Sequence, residues 1–173
     1  MMYSKNGLLA VKLISIKYLY IQIKDCYLCA AMKSSESRYS NCLYFSSNAL
    51  ARKVEKLAIE SWKEVDLSPS HGYLLMVVLA EPGVQPGYLA DELQLTPSTV
   101  TRLIEKLEAK KLVVRTTEGK VTNIYPTPKA KELYPKMKKC VDNFCSVHSS
   151  LIGEQETDRM VASMNRLNNK LSG

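Results

Sequence analysis

The sequence contains no uninterrupted run of the roughly 18–20 apolar residues that a membrane-crossing helix needs. The longest apolar stretch, Gly7 to Ile23, is broken by Lys12 and Lys17. Those charges, and the lack of a small-residue cleavage site, also make it a poor signal peptide. Histidine is scarce: His71 and His148 stand alone, far apart in the chain. Cys26-Tyr27-Leu28-Cys29 has no second cysteine pair to complete a zinc site, and no βαβ pattern around it to suggest thioredoxin-like chemistry. There is no glycine-rich phosphate loop, and no nucleophile–base constellation. An enzyme is therefore the least favoured class, and no catalytic residue, metal or cofactor is assigned. Five cysteines, an odd number unevenly spread, do not form a secreted disulfide framework. Cys140 and Cys145, if on one helix, lie roughly 8–9 Å apart on different faces, beyond disulfide reach. Reduced thiols in a cytoplasm are expected, with no membrane partner.

What the sequence has is a basic balance and strong periodicity. Its 173 residues suffice for one domain with a core, and the formal net charge is +7. The excess is concentrated. Between Pro97 and Lys131 stand eight cations (Arg102, Lys106, Lys110, Lys111, Arg115, Lys120, Lys129, Lys131) against Glu105, Glu108 and Glu118. Such a run is either a solvated helix face or a footprint for phosphate.

Leu43, Leu50, Val54, Leu57, Ala58, Ser61, Trp62 and Val65 share one face at three- and four-residue spacing, predicting a long amphipathic helix that ends near Asp66. Ser68-Pro69 is a cap-plus-proline start for a second helix, and Tyr73 to Ala80 is apolar nearly all round, so that helix is expected to be central. Glu81-Pro82-Gly83 stops it, and a short helix follows from Tyr88 to Leu93. Thr96-Pro97 opens the next helix, with Val100, Leu103, Ile104 and Leu107 as its buried stripe. Leu112 to Thr117 and Val121 to Tyr125 read as strands around a Glu118-Gly119-Lys120 turn. Thr127-Pro128 caps a helix reaching about Ser150, expected to bend at Pro135. Met160, Met164, Leu167 and Leu171 mark a last amphipathic helix.

The fold class is thus mainly α with a small β-hairpin wing: a winged helix-turn-helix (68–127) with terminal dimerisation helices (41–66 and 128–172). Residues 1–40 are read as an extension before a single domain spanning 41–173. Residues 1–31, which alternate like a strand from Ile14 to Ile23, are read as translated from a start upstream of Met32. The terminal stripes lack a partner inside so small a winged helix, and a two-fold dimer buries them most economically.

With its stripe buried, the helix after Thr96 presents Ser98, Thr99, Thr101, Arg102, Glu105 and Lys106 on the opposite side. Small hydroxyl residues at its start allow close approach to base edges in a major groove. Arg102 can reach guanine acceptors or a phosphate, and Lys106 suits phosphate. Arg115 and Lys120 place charge on the hairpin, where backbone or minor groove is within reach. The candidate DNA-binding set is therefore Ser98, Thr99, Thr101, Arg102, Lys106, Arg115 and Lys120. The competing reading is a winged-helix protein-interaction module without DNA affinity.

The block Leu89-Ala90-Asp91-Glu92-Leu93-Gln94-Leu95-Thr96-Pro97-Ser98-Thr99-Val100-Thr101-Arg102-Leu103-Ile104-Glu105-Lys106-Leu107-Glu108-Ala109-Lys110-Lys111-Leu112-Val113 resembles the recognition-helix segment of the MarR family. Glu118-Gly119-Lys120 stands where that family has an Asp-x-Arg pair, and Thr127-Pro128-Lys129-Ala130 where it has Thr-x-Lys-Gly. The wing is several residues short, and lysine lacks arginine's planar fork, which weakens the case for a tight minor-groove contact. The resemblance implies a triangular homodimer of six helices per chain that regulates transcription, usually as a repressor, from a pseudo-palindromic operator on double-stranded DNA. It also implies that a small-molecule effector or an oxidant acts near the dimer interface. Cys42, before Leu43-Tyr44-Phe45, resembles the sensing cysteine of the hydroperoxide-responsive branch, and Cys140 and Cys145 lie where two-cysteine members keep a resolving thiol. Ser46 and Lys56 stand where that branch has supporting tyrosines.

Overall fold

The computed structural model describes residues 33–171. The expected N-terminal strand, Cys26 and Cys29 lie outside them. The described residues fall into two compact units, up to Lys53 and from Val54, the boundary lying within the first long helix. In the first unit a 3-10 turn, Ser34–Glu36, precedes that helix. The Glu36 carboxylate accepts from the Lys33 amide at 3.1 Å, and the rings of Tyr39 and Phe45 stack with centroids 4.6 Å apart.

Helix α1 runs Leu43–Trp62 and tightens into a 3-10 turn, Lys63–Val65. Asp66 ends it in the left-handed region at φ 52°. Proline at the first turn starts α2 (Pro69–Ala80) and α3 (Pro86–Glu92), as it does α4 (Pro97–Ala109). Its preset φ suits that position, and the N–H it lacks would be unpaired there. Strands β1 (Val113–Glu118) and β2 (Val121–Pro126) pair antiparallel through a two-residue turn, with Glu118 opposite Val121. Gly119 takes φ +62° there, a value its missing Cβ permits. Val84, between α2 and α3, adds an antiparallel bridge to Ile124. Helices α5 (Pro128–Ile152) and α6 (Glu154–Leu171) follow, separated by Gly153 at φ +94°. Helix α5 is continuous through Pro135, which is exposed.

The core gathers on α2, as its apolar sequence predicts. Leu74, Leu75 and Val78 are fully buried against Leu89, Val100, Ile104, Leu107, Ile124 and Met137. Trp62 closes one end, its ring lying over Gly72. The long stripe on α1 has a different fate. Only its C-terminal part (Ala58 and Trp62, then Val65) is buried in this chain, while Leu43 is 74% exposed. Helix α6 buries nothing, and Leu171 is 81% exposed.

Candidate nucleic-acid interface

The reading helix is α4, and its start is locally encoded. The Thr99 amide donates to the Thr96 carbonyl at 2.9 Å, and the Thr96 hydroxyl caps it as a second acceptor at 3.4 Å. The same oxygen lies 3.1 Å from the Ser98 hydroxyl and 2.8 Å from that of Thr99, so three hydroxyls form one cluster at the helix N-terminus. Thr101 donates to the Pro97 carbonyl at 2.9 Å, which leaves its oxygen free to accept. Val100, Leu103, Ile104 and Leu107 are buried as expected, and Ser98, Thr99, Thr101, Arg102, Glu105 and Lys106 are all exposed on the other side. Among the described residues nothing pairs with the Arg102 guanidinium or the Lys106 ammonium.

The other cations of the basic segment divide into two groups. Lys111, Lys120 and Lys131 are exposed without a side-chain partner among the described residues. Three more are engaged, which charge counting could not reveal. Lys110 Nζ donates to the Asp66 carboxylate at 2.6 Å and to the Asp66 carbonyl at 2.8 Å. Lys110 holds the Asp66 carboxyl below its ordinary value. Lys129 Nζ donates to the Lys110 carbonyl at 3.0 Å, occupying an acceptor at the end of α4. Arg115 on β1 donates through Nε to Glu108 Oε2 at 2.8 Å, with Nη2 on the same oxygen. Thr127 ties the hairpin to α4. Its hydroxyl donates to the Lys111 carbonyl at 2.8 Å and accepts from the Ala130 amide at 3.3 Å, capping α5 as well.

An open cavity of about 330 Å³ adjoins the C-terminal half of α4. Leu67 and Ala109 give it apolar walls, and Asp66, Ser68, His71, Lys106 and Lys110 bring polar groups to it. Ser68 Oγ and His71 Nδ1 are 2.6 Å apart, so the Ser68 hydroxyl partners the imidazole rather than the helix backbone. Burial, and then the charges of Lys106 and Lys110, push the His71 pKa down. The cavity was not anticipated from the sequence; its only prior signal was Asp66-Leu67-Ser68 beside a two-lysine helix end.

The three candidate sensing thiols are free. Cys42 is half-buried before α1, Cys140 is buried within α5, and Cys145 is exposed. Burial pushes the Cys140 thiol pKa up. No described helix is long and apolar enough to cross a membrane. No group of three or more metal-ligating side chains occurs among the described residues.

Residues 65–121, from the end of α1 through the hairpin turn, match the MarR family pattern. Over that stretch the chain is similar to the MarR family. Its described part carries the six helices and two-stranded wing of that fold. It is 23% identical over 121 residues to YybA of Bacillus subtilis, an uncharacterised HTH-type transcriptional regulator; the match covers 68% of this chain and 81% of YybA. Among solved structures, the repressor CouR bound to a 23-mer DNA duplex matches with TM-score 0.69 at 20% identity, covering 80% of this chain and 99% of CouR. The DNA complex of MepR from S. aureus matches with TM-score 0.65 at 23% identity, covering 75% and 97%. CouR is also known bound to p-coumaroyl-CoA, in a structure that matches equally well by TM-score. The curated relative is a transcriptional regulator by name, and the solved structures share the fold.

Proposed function

We propose that the chain is a MarR-family transcriptional regulator that binds duplex DNA as a homodimer, sequence-specifically, with the exposed side of α4 in the major groove. The observation that carries the reading is the division of α4 itself. One side is wholly buried; the other is wholly exposed, with hydroxyls at its N-terminus and Arg102 and Lys106 unpartnered among the described residues. A helix N-terminus with free donors favours phosphate, and small side chains there let the backbone approach base edges. Arg102 is assigned to base or phosphate, and Lys106 and Lys120 to phosphate.

The dimer reading rests on unburied apolar surface. Leu43, Tyr44, Phe45 and Leu50 on α1, and Val161, Met164, Leu167 and Leu171 on α6, are all exposed in the single chain. Amphipathic helices keep such a face only when something covers it, and a second copy supplies the same face by symmetry. Effector control is the finer part of the proposal. A small molecule held in the cavity beside Lys106 would lie next to the residue assigned to phosphate, and Cys42 is the thiol through which an oxidant would act.

Selection from a random duplex pool, followed by gel shift, tests the central claim. Enrichment of an inverted repeat, bound by two chains, is the expected outcome. Recovery of no sequence above background at low salt would leave α4 without a reader's role.

A further inference from the structure

The alternation of β1 decides where Arg115 points. Successive strand residues face opposite sides, so Arg115 shares its side with buried Val113, and its cross-strand partner is buried Ile124. The side chain is therefore directed under the hairpin rather than outward. There it meets Glu108, in the last turn of α4, through two guanidinium nitrogens on one carboxylate oxygen. The two side chains are only 32% and 31% exposed. A guanidinium held in this partly covered position favours a fixed counter-charge, and Glu108 is the carboxylate placed to supply it. Lys120 is the opposite case: it sits at the hairpin turn, exposed, with no partner among the described residues.

We propose that Glu108 is a positioning residue of the DNA-reading unit: it latches the root of the wing to the reading helix through Arg115 and withholds Arg115 from phosphate. This rests on the DNA-binding reading above and sharpens it. The wing then contributes one phosphate-seeking cation, Lys120, rather than two, and its base moves with α4 as one piece.

Fluorescence anisotropy on a random-sequence duplex, between about 50 and 200 mM salt, separates the possibilities, because each phosphate neutralised steepens the salt slope by about 0.9. Arg115→Gln is expected to leave the parent slope unchanged. Glu108→Gln frees the guanidinium and steepens the slope by about 0.9, which over that fourfold salt range is on the order of a threefold greater loss of affinity. Glu108→Gln/Arg115→Gln returns to the parent slope, and Glu108→Asp stays near it. An Arg115→Gln slope flattened as much as that of Lys106→Ala overturns the proposal, because Arg115 would then contact phosphate despite Glu108. So does a double variant that keeps the steepened slope, because Glu108 would then act by repulsion alone. A parent chain that binds no duplex defeats the DNA reading and the phosphate half of this proposal with it. The latch has a separate readout. In a double-mutant cycle of urea unfolding, non-additive losses at positions 108 and 115 support it, and additive losses refute it.

Discussion

Gly72 on α2 lies so close to the indole of Trp62 that a Cβ built on it would overlap the six-membered ring. The rest of the Trp62 surround is equally closed. The side chain has no exposed surface, and the Tyr73 ring sits 5.4 Å away, tilted by 60°. A methyl at position 72 must displace the ring from its seat at the end of α1, because helix backbone on the other side does not yield. Gly72→Ala is therefore expected to cost about 1–3 kcal/mol, the usual range for overpacking a closed core. The gain in helix propensity offsets less than about 1 kcal/mol of this. Trp62 is the single tryptophan, so urea unfolding followed by its fluorescence reads the change directly. A variant as stable as the parent would show that the ring has room to move.

Arg102 and Lys106 lie one turn apart on the exposed side of α4 and should fail differently. If Arg102 reads a base, Arg102→Ala costs on the order of 1–3 kcal/mol on the preferred site and little on random duplex. Lys106→Ala weakens both alike and reduces the salt slope by about one. Paired titrations of selected and random duplex at several salt concentrations check both. Two variants that behave like the parent on both duplexes would remove α4 as the reading element.

What could be read in advance follows a physical rule: local chemistry was legible, and long-range pairing was not. Thr96 and Thr127 cap their helices as their Thr-Pro starts foretell, since a cap needs only the three residues after it. The stripe of α4 was also visible, because helical period alone selects Val100, Leu103, Ile104 and Leu107. Ser68 matched the same cap pattern, yet its hydroxyl turned to His71 Nδ1, a competitor within one turn that the pattern ignores. Arg115, Lys110 and Lys129 were counted as basic charge, but Glu108, Asp66 and the Lys110 carbonyl occupy them. Asp66 and Lys110 are 44 residues apart, and only the fold could bring them together. The α1 stripe was legible as a face without a partner in one chain, and Leu43 and Leu50 are exposed there; that its C-terminal end, Ala58, Trp62 and Val65, is buried within the same chain was not.

Leu167 on α6 is half exposed, in line with Met164 and Leu171, which are also uncovered. A glutamate there puts charge where the proposed two-fold contact excludes water, and the symmetry repeats the fault on the partner copy. Leu167→Glu should therefore reduce the sedimenting mass from two chains to one at micromolar concentration. Affinity for an inverted-repeat duplex should fall with it, since both half-sites are no longer held together. The winged-helix core lies elsewhere, so Trp62 fluorescence should be unchanged. A Leu167→Glu protein that still sediments as two chains would place the dimer seam off this face of α6.

His71 gives the fold an acid-side sensitivity whose sign can be worked out. Its folded pKa lies below the ordinary 6.5, first because burial disfavours the imidazolium and then because Lys106 and Lys110 repel it. Between the folded value and 6.5 the unfolded chain binds more protons than the native one, so stability rises with pH across that window. His71 thus contributes fully above about pH 6.5, and its contribution is lost as pH falls through the folded value. Asp66 is also depressed, but it acts only below its ordinary 3.8, so the two windows are distinct. Urea midpoints measured from pH 7.5 down to 5 should decline in the parent. His71→Gln should flatten that decline, because glutamine stays neutral throughout. Lys106→Ala should flatten it in part, by relieving one of the two repelling charges. If His71→Gln and the parent share the same profile, the slope arises at another group.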